Sequence, residues 1–300
     1  MASCRAASEE LDEELAIILT NSFLPLWNHN WFHGVSKPVQ RIPQSANIST
    51  PSISLSKLTP LQKARRSFYW FLIKLTRGVG GEVCVATIPS PKNPDDELVA
   101  AVLLWCPPFK RNASSFGLQF IKDLWTLYKA DMFAVLRGYG ISGFRRITDV
   151  FEENVQRMFK ESLAPLGFKP EECGFVQMIA VNTDPEFDAE LKGKGFARQL
   201  LQWRIDHHWK ECKNVKTGTG GKMTPVILDT TTEQGITAYK RLRFELVNQY
   251  IPNTGTDKNG YKLDKNLDPE EKRRLAEEAM ENCVMSIMVK MPPETAAEAV

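Results

Sequence analysis

Ala197, Leu201, Ile205 and Trp209 recur every four residues, with Cys212 three further on. That spacing predicts a helix with one apolar stripe turned to a core. Just upstream, Gly174 to Val181 (GFVQMIAV) is a near-continuous apolar run of the kind a buried strand shows. Between them lies LKGKG, with glycines at 193 and 195. The order is strand, glycine loop, helix. A helix start presents unpaired backbone N–H groups and the positive end of the helix dipole, so this point in the chain suits an anion.

The same reading extends along the chain. Ser3 to Ala7 is expected to be a short strand, and Ser8 to cap a helix that carries Glu9, Glu10 and Asp12 in its first turn. Leu11, Leu15, Ile18 and Ser22 follow one face of that helix. Phe23, Trp27, Trp31 and Phe32 come next and are expected to pack in the core. Residues 36–57, rich in Pro, Ser and Asn, predict a linker-like loop. A second helix is predicted over Leu58–Thr76, then strands over Glu82–Ile88 and Leu98–Cys106 across a proline-broken turn. Residues 107–173 hold two helical patterns, near Phe116–Leu136 and Thr148–Leu163, joined by a glycine-punctuated link from Gly138 to Gly143. Later come a short strand before Asp229, a helix through Tyr239, and a sixth strand over Glu245–Ile251. A charged helix opens at Asp268-Pro269, a last strand spans Cys283–Lys290, and residues 292–300 form a tail.

Composition narrows the class. With 300 residues and 43% hydrophobic positions the chain can bury one large core, and it is read as a single domain, 1–300. The net charge of +2 supplies no basic field for nucleic acid. The six cysteines show no CxxC spacing and read as free thiols of a reducing compartment, with no metal site expected. No apolar run is long enough for a membrane span, and the N-terminus lacks the apolar core of a signal peptide, so a cytoplasmic protein without membrane partners is expected. His207 and His208, adjacent on a helix, point to different faces and cannot share a metal; His208 is expected at the core edge.

The glycine loop fits neither a Walker loop, whose G-x-x-x-x-G-K-[ST] string is absent, nor a dinucleotide fingerprint, since Arg198 stands where the third glycine belongs. It resembles the [QR]-x-x-G-x-[GA] signature of GNAT acetyltransferases. Lys192 stands at the Gln/Arg position, Gly195 at the glycine and Ala197 at the last small residue. A second block resembles the family's Y-x-x-x-G-F: Tyr239, Lys240, Arg241, Leu242, Arg243, Phe244, with arginine where the family has glycine. The lysine keeps the positive charge. The arginine occupies a left-handed cap position, at a cost of about 1 kcal/mol, or forces a different cap.

The resemblance implies an α/β GNAT fold: a mixed, mostly antiparallel sheet flanked by helices, here enlarged by a helical insertion at 107–173. Trp105, Pro107 and Pro108 before it resemble the strand end that precedes such insertions in fungal members. It implies acetyl-CoA as co-substrate, with pantetheine along Ile179, Ala180 and Val181. The diphosphate would lie over Lys192, Gly193, Lys194, Gly195, Phe196, Ala197 and Arg198. It implies Tyr239 as general acid for the departing thiolate. The family's base positions on the fourth strand fall at Phe175 and Gln177, which cannot take a proton, so Asp229, Glu233, Asp149 or water is left for that role. Strict alternation would put Phe175, Gln177, Ile179 and Val181 on one face. The expected reaction moves acetyl from acetyl-CoA to a primary amine of a small molecule, in a monomer or homodimer. O-acetylation, a longer acyl donor and a silent CoA-binding scaffold are the alternatives.

Overall fold

Strand pairing begins with the hairpin of β2 (Glu82–Pro89) and β3 (Glu97–Cys106), whose runs of Val, Ala and Leu are buried on both faces. The structure is a computed structural model that describes residues 2–44, 55–110, 127–213 and 221–293. The expected helix start at Phe116, the middle of the 36–57 loop and most of the tail lie outside the described residues. β1 (Ser3–Ala6) pairs with β2, and β4 (Gly174–Val181) pairs with β3. β5 (Val226–Thr230), β6 (Glu245–Tyr250) and β7 (Met285–Lys290) complete a seven-stranded sheet in the order β1-β2-β3-β4-β5-β7-β6. All neighbours are antiparallel except β4 and β5.

Each face of the sheet carries its own helices. On one side lie α1 (Asp12–Ser22), α2 (Trp27–His33) and α3 (Pro60–Gly78), with a helical segment from between β3 and β4. The other side is covered by α7 (Phe196–Cys212), through Leu201 and Ile205, and by the partly buried α8 (Glu233–Lys240). α3 starts on a capping box: Thr59 accepts from the Gln62 N–H while the Gln62 side chain accepts from the Thr59 N–H. α1 is tied to α3 by Asp12, fully buried between Lys74 at 2.9 Å and Arg77 at 2.8 Å. Residues 36–44 lack regular structure yet are packed, since Ile42 exchanges two hydrogen bonds with the Asn21 side chain.

The segment between β3 and β4 holds α4 (Met132–Arg145), a π-helical stretch over Arg146–Glu152, and α5 (Glu153–Leu163), in direct succession. The expected link at Gly138–Gly143 shrinks to one residue: Gly140, at φ 67° and ψ 171°, breaks the helix alone. Gly138 and Gly143 stay helical, and glycine is needed there because they lie against Ala64 and the Phe32 carbonyl, where a Cβ would collide at 2.6 Å. Two short helices follow β4 and β5 in turn: α6 (Asp188–Leu191) and the already noted α8, with α9 (Pro269–Asn282) before β7.

Burial lifts the Glu14 carboxyl on α1 to about 7, above the ordinary glutamate range. A carboxyl raised on folding favours the protonated state. Stability is therefore full below the unfolded value and falls as pH rises through about 7, by about 3 kcal/mol at most. Glu14→Gln should remove this decline. Melting temperatures between pH 5 and 8.5 should fall for the wild type and stay flatter for the variant; parallel curves would show that Glu14 does not titrate in that window.

Candidate active site

β4 and β5 stay together for three residues only. Gly174 pairs with Val226, Phe175 with Ile227 and Val176 with Leu228, and there the ladder ends. β5 continues through Asp229 and Thr230 against β7, and β4 continues through Val181 against β3. Among the described residues, the edge of β4 from Gln177 to Val181 therefore has no strand beside it on the β5 side. An extended, amide-bearing chain can pair with such an edge as an added strand does. The Val181 carbonyl is approached by the Ser22 hydroxyl at 2.7 Å.

Alternation along β4 does not hold. Trp105 pairs with Val176 and Leu104 with Met178, so Gln177 is an extra residue, a β-bulge. A bulge inverts the facing of every later side chain. Phe175 thus shares a core cluster with Met178 and Ala180, while Ile179 packs with Val176 on the other face. This corrects the single face expected for Phe175, Gln177, Ile179 and Val181.

The strands part over a cavity of about 2080 Å³. That exceeds an ordinary small-molecule site, and it suits two reactants at once. Ile179, Ala180, Val181, Asp229 and Tyr239 all line it. Tyr239 sits on α8, whose start is fixed by Thr232 accepting from the Gly235 N–H at 3.0 Å. The phenol is half-buried, and its pKa lies well above the ordinary tyrosine value, mainly through burial and further through the Asp229 carboxylate. It stays protonated across the working range.

The end of α8 is locked by the residue expected to strain it. Arg243 adopts φ 64°, and the Phe244 N–H reaches back to the Tyr239 carbonyl at 3.1 Å. The left-handed cap is kept despite the arginine side chain. Arg243→Gly should raise stability by about 1 kcal/mol, the left-handed strain less the chain entropy of glycine. Chemical denaturation showing no gain would mean that the arginine side chain contributes a compensating contact.

The glycine loop lies outside the residues lining the cavity. Gly193 (φ 70°) and Gly195 (φ 76°) are both left-handed, and a Cβ on either would meet nothing within 4 Å. Gly195 is the N-cap of α7 and offers no side chain to its first N–H groups. Unpaired N–H groups at a helix start and the dipole of a 17-residue helix favour an anion there. Phe196 is buried and anchors the helix start. Ala197 packs partly against the core on that face. Of the cationic side chains, Lys192 lies 3.5 Å from Asp188; Lys194 and Arg198 are both exposed.

α2 contributes wall residues that sequence reasoning did not single out. Asn28 and His29 both line the cavity. Trp27 donates to the Thr231 carbonyl at 3.2 Å, and the Thr231 hydroxyl reaches Asn28 Oδ1 at 3.4 Å, tying α2 to the loop after Asp229. His29 Nδ1 pairs with the Tyr69 hydroxyl at 2.9 Å. Burial, then the nearby Arg65, holds the His29 pKa well below the ordinary value, so it is neutral. The one signal was the run WNHNWFH, too polar for a simple core helix. His208 lies inside the core, under Thr224, with burial pushing its pKa down to about 4. Among the described residues no group of His, Cys, Asp or Glu is arranged to hold a metal.

No family model and no curated protein sequence matches the chain. Solved structures do. The structure is similar to a yellow fever mosquito (Aedes aegypti) chain designated arylalkylamine N-acetyltransferase 7, with a TM-score of 0.52 at 11% identity, covering 96% of this chain and 86% of that one. It is similar as well to arylalkylamine N-acetyltransferase 2 from Aedes aegypti, with a TM-score of 0.50 at 12% identity, covering 97% of this chain and 98% of that one. The fold is that of the GNAT N-acetyltransferases. In this fold the sequence resemblance pointed to the backbone of β4, the α7 start and Tyr239. At such low identity the likeness establishes the architecture and leaves the chemistry to the site.

Proposed function

We propose that the protein is an acetyl-CoA-dependent N-acetyltransferase, organised as one domain, that acetylates a primary amine carried on an apolar body. The observation that carries this reading is Tyr239 and Asp229 lining one cavity with the unpaired edge of β4. Pantetheine would lie along Ile179, Ala180 and Val181, and the diphosphate over the N–H groups from Gly193 to Arg198, with Lys192 and Lys194 adding charge. The apolar wall, including Phe32, Phe151 and Phe175, suits an aromatic or aliphatic amine such as the arylalkylamines of the structural relatives. The segment between β3 and β4 resembles the insertion of fungal members.

The amine nitrogen attacks the thioester carbonyl, forming the C–N bond. The tetrahedral oxyanion then collapses, breaking the C–S bond. Tyr239 gives its proton to the departing thiolate, and Asp229, directly or through water, takes the proton from the amine. The two steps assist each other. While Asp229 is charged it holds the proton on Tyr239; once protonated it no longer does, and the phenol becomes a better acid as the thiolate forms.

The test is a panel of primary amines and alcohols with acetyl-CoA and longer acyl-CoA donors, reading free CoA. Acetyl-CoA with apolar amines should give the highest kcat/KM. Preference for alcohols or long acyl chains would replace this reading, and CoA binding without release from any pair would make the protein a silent binder.

A further inference from the structure

Among the described residues lining the cavity, one buried side-chain polar atom has no partner. Gln156, on α5, is 9% exposed and lines the cavity. Its Nε2 donates to Glu152 Oε1 at 2.8 Å, while its Oε1 has no donor. Exchanging the amide ends would set an oxygen against the carboxylate, so the orientation is fixed by Glu152. A buried acceptor left without a donor is unfavourable. Building one into a binding cavity makes sense when a ligand supplies the donor.

The local backbone favours the same view. Arg146–Glu152 is π-helical, a rare conformation that recurs at functional sites. The wider turn lets neighbouring residues face one side. Ile147, Thr148, Asp149, Phe151 and Glu152 all line the cavity. Charge points to a donor too. Among the described lining residues, the carboxylates Asp149, Glu152, Glu153, Glu161 and Asp229 outnumber the cations Lys110, Arg157 and Lys160. Asp149 is already bound to Arg145 and Thr148. Glu152 is half-buried and hydrogen-bonded to Gln156, so its charge lies beside any donor that Gln156 Oε1 accepts.

We propose that Gln156, oriented by Glu152, accepts a hydrogen bond from a second N–H or O–H group on the acceptor, remote from the amine that is acetylated. This rests on the acetyl-transfer reading above and names its acceptor more closely: an apolar amine with a polar donor at its far end. The donor is either a neutral hydroxyl or a second ammonium. Glu152 sees these differently, since only an ammonium gains from its charge.

The experiment compares matched acceptors: phenethylamine against its para-hydroxylated form, and a long n-alkylamine against the α,ω-diamine of the same chain. In the wild type the donor-bearing member should have the higher kcat/KM, on the order of 10- to 10²-fold, as expected where a buried polar group is otherwise left unpaired. Gln156→Leu should bring that ratio close to one while leaving the donorless member and the melting temperature near wild type. Gln156→Met serves if the leucine variant does not fold. Glu152→Gln should lower the diamine preference and spare the phenol, if the ammonium is the natural donor; loss of both preferences alike assigns a neutral donor oriented through Gln156. Equal rates within both pairs, or a ratio unmoved by Gln156→Leu, overturn the proposal and leave the acetyl-transfer reading standing. If no amine releases CoA, that reading fails, and calorimetric binding of the same four amines decides this one: equal affinities within each pair overturn it.

Discussion

Tyr239→Phe lowers turnover about 10²-fold or more, the scale on which a lost proton donor is felt, and leaves acetyl-CoA affinity close to wild type. The ring is kept, so its edge contact with Phe244, at 5.8 Å between centroids, survives. The missing hydroxyl acts as the thiolate forms, not when the thioester binds, and a group of that kind changes kcat in step with kcat/KM. A purely structural tyrosine gives the opposite pattern: a lower melting temperature and an unchanged rate per folded molecule. Turnover, CoA affinity and melting temperature on the same two proteins separate the cases. Near-equal turnover would remove Tyr239 from the mechanism.

Gly195→Val weakens CoA binding by about tenfold or more. The residue holds φ 76° at the start of α7, where a β-branched side chain is strained by about 1–2 kcal/mol. Strain of that size shifts the loop from its competent shape, and each 1.4 kcal/mol costs a factor of ten. The added side chain also stands in the open space an anion would enter. Pantetheine lacks the diphosphate, so its affinity should not change. Equal losses for CoA and pantetheine would move the defect away from the phosphate site, and unchanged CoA affinity in a folded variant would refute the assignment.

Much of the architecture is legible in the order of residues. The runs around Val83 and Leu103 read as buried strands because they are short, continuously apolar and bounded by turn residues, and the stripe from Leu201 to Trp209 reads as a helix because burial repeats every four residues. Arg243 is legible as a left-handed cap because the tyrosine and phenylalanine around it fix the frame. What escaped is what a single residue decides in three dimensions. The bulge at Gln177 is one extra residue in a strand of uniform apolarity, and no pattern marks it. Gly140 differs from Gly138 and Gly143 only through their neighbours Ala64 and Phe32, which are distant in sequence. Asn28 and His29 reach the cavity because Thr231, some two hundred positions on, holds α2 there. Contacts of that range leave no local signal.

The central claim is that the cavity shared by β4, Asp229 and Tyr239 transfers acetyl directly to an amine. Acetyl-CoA labelled in its acetyl carbon, mixed with the protein and an apolar amine, tests it most directly. The account predicts label on the amine nitrogen in amounts equal to the CoA released, with none bound covalently to the protein. Label retained on the protein, or acetyl-CoA recovered intact beside every amine, would contradict it.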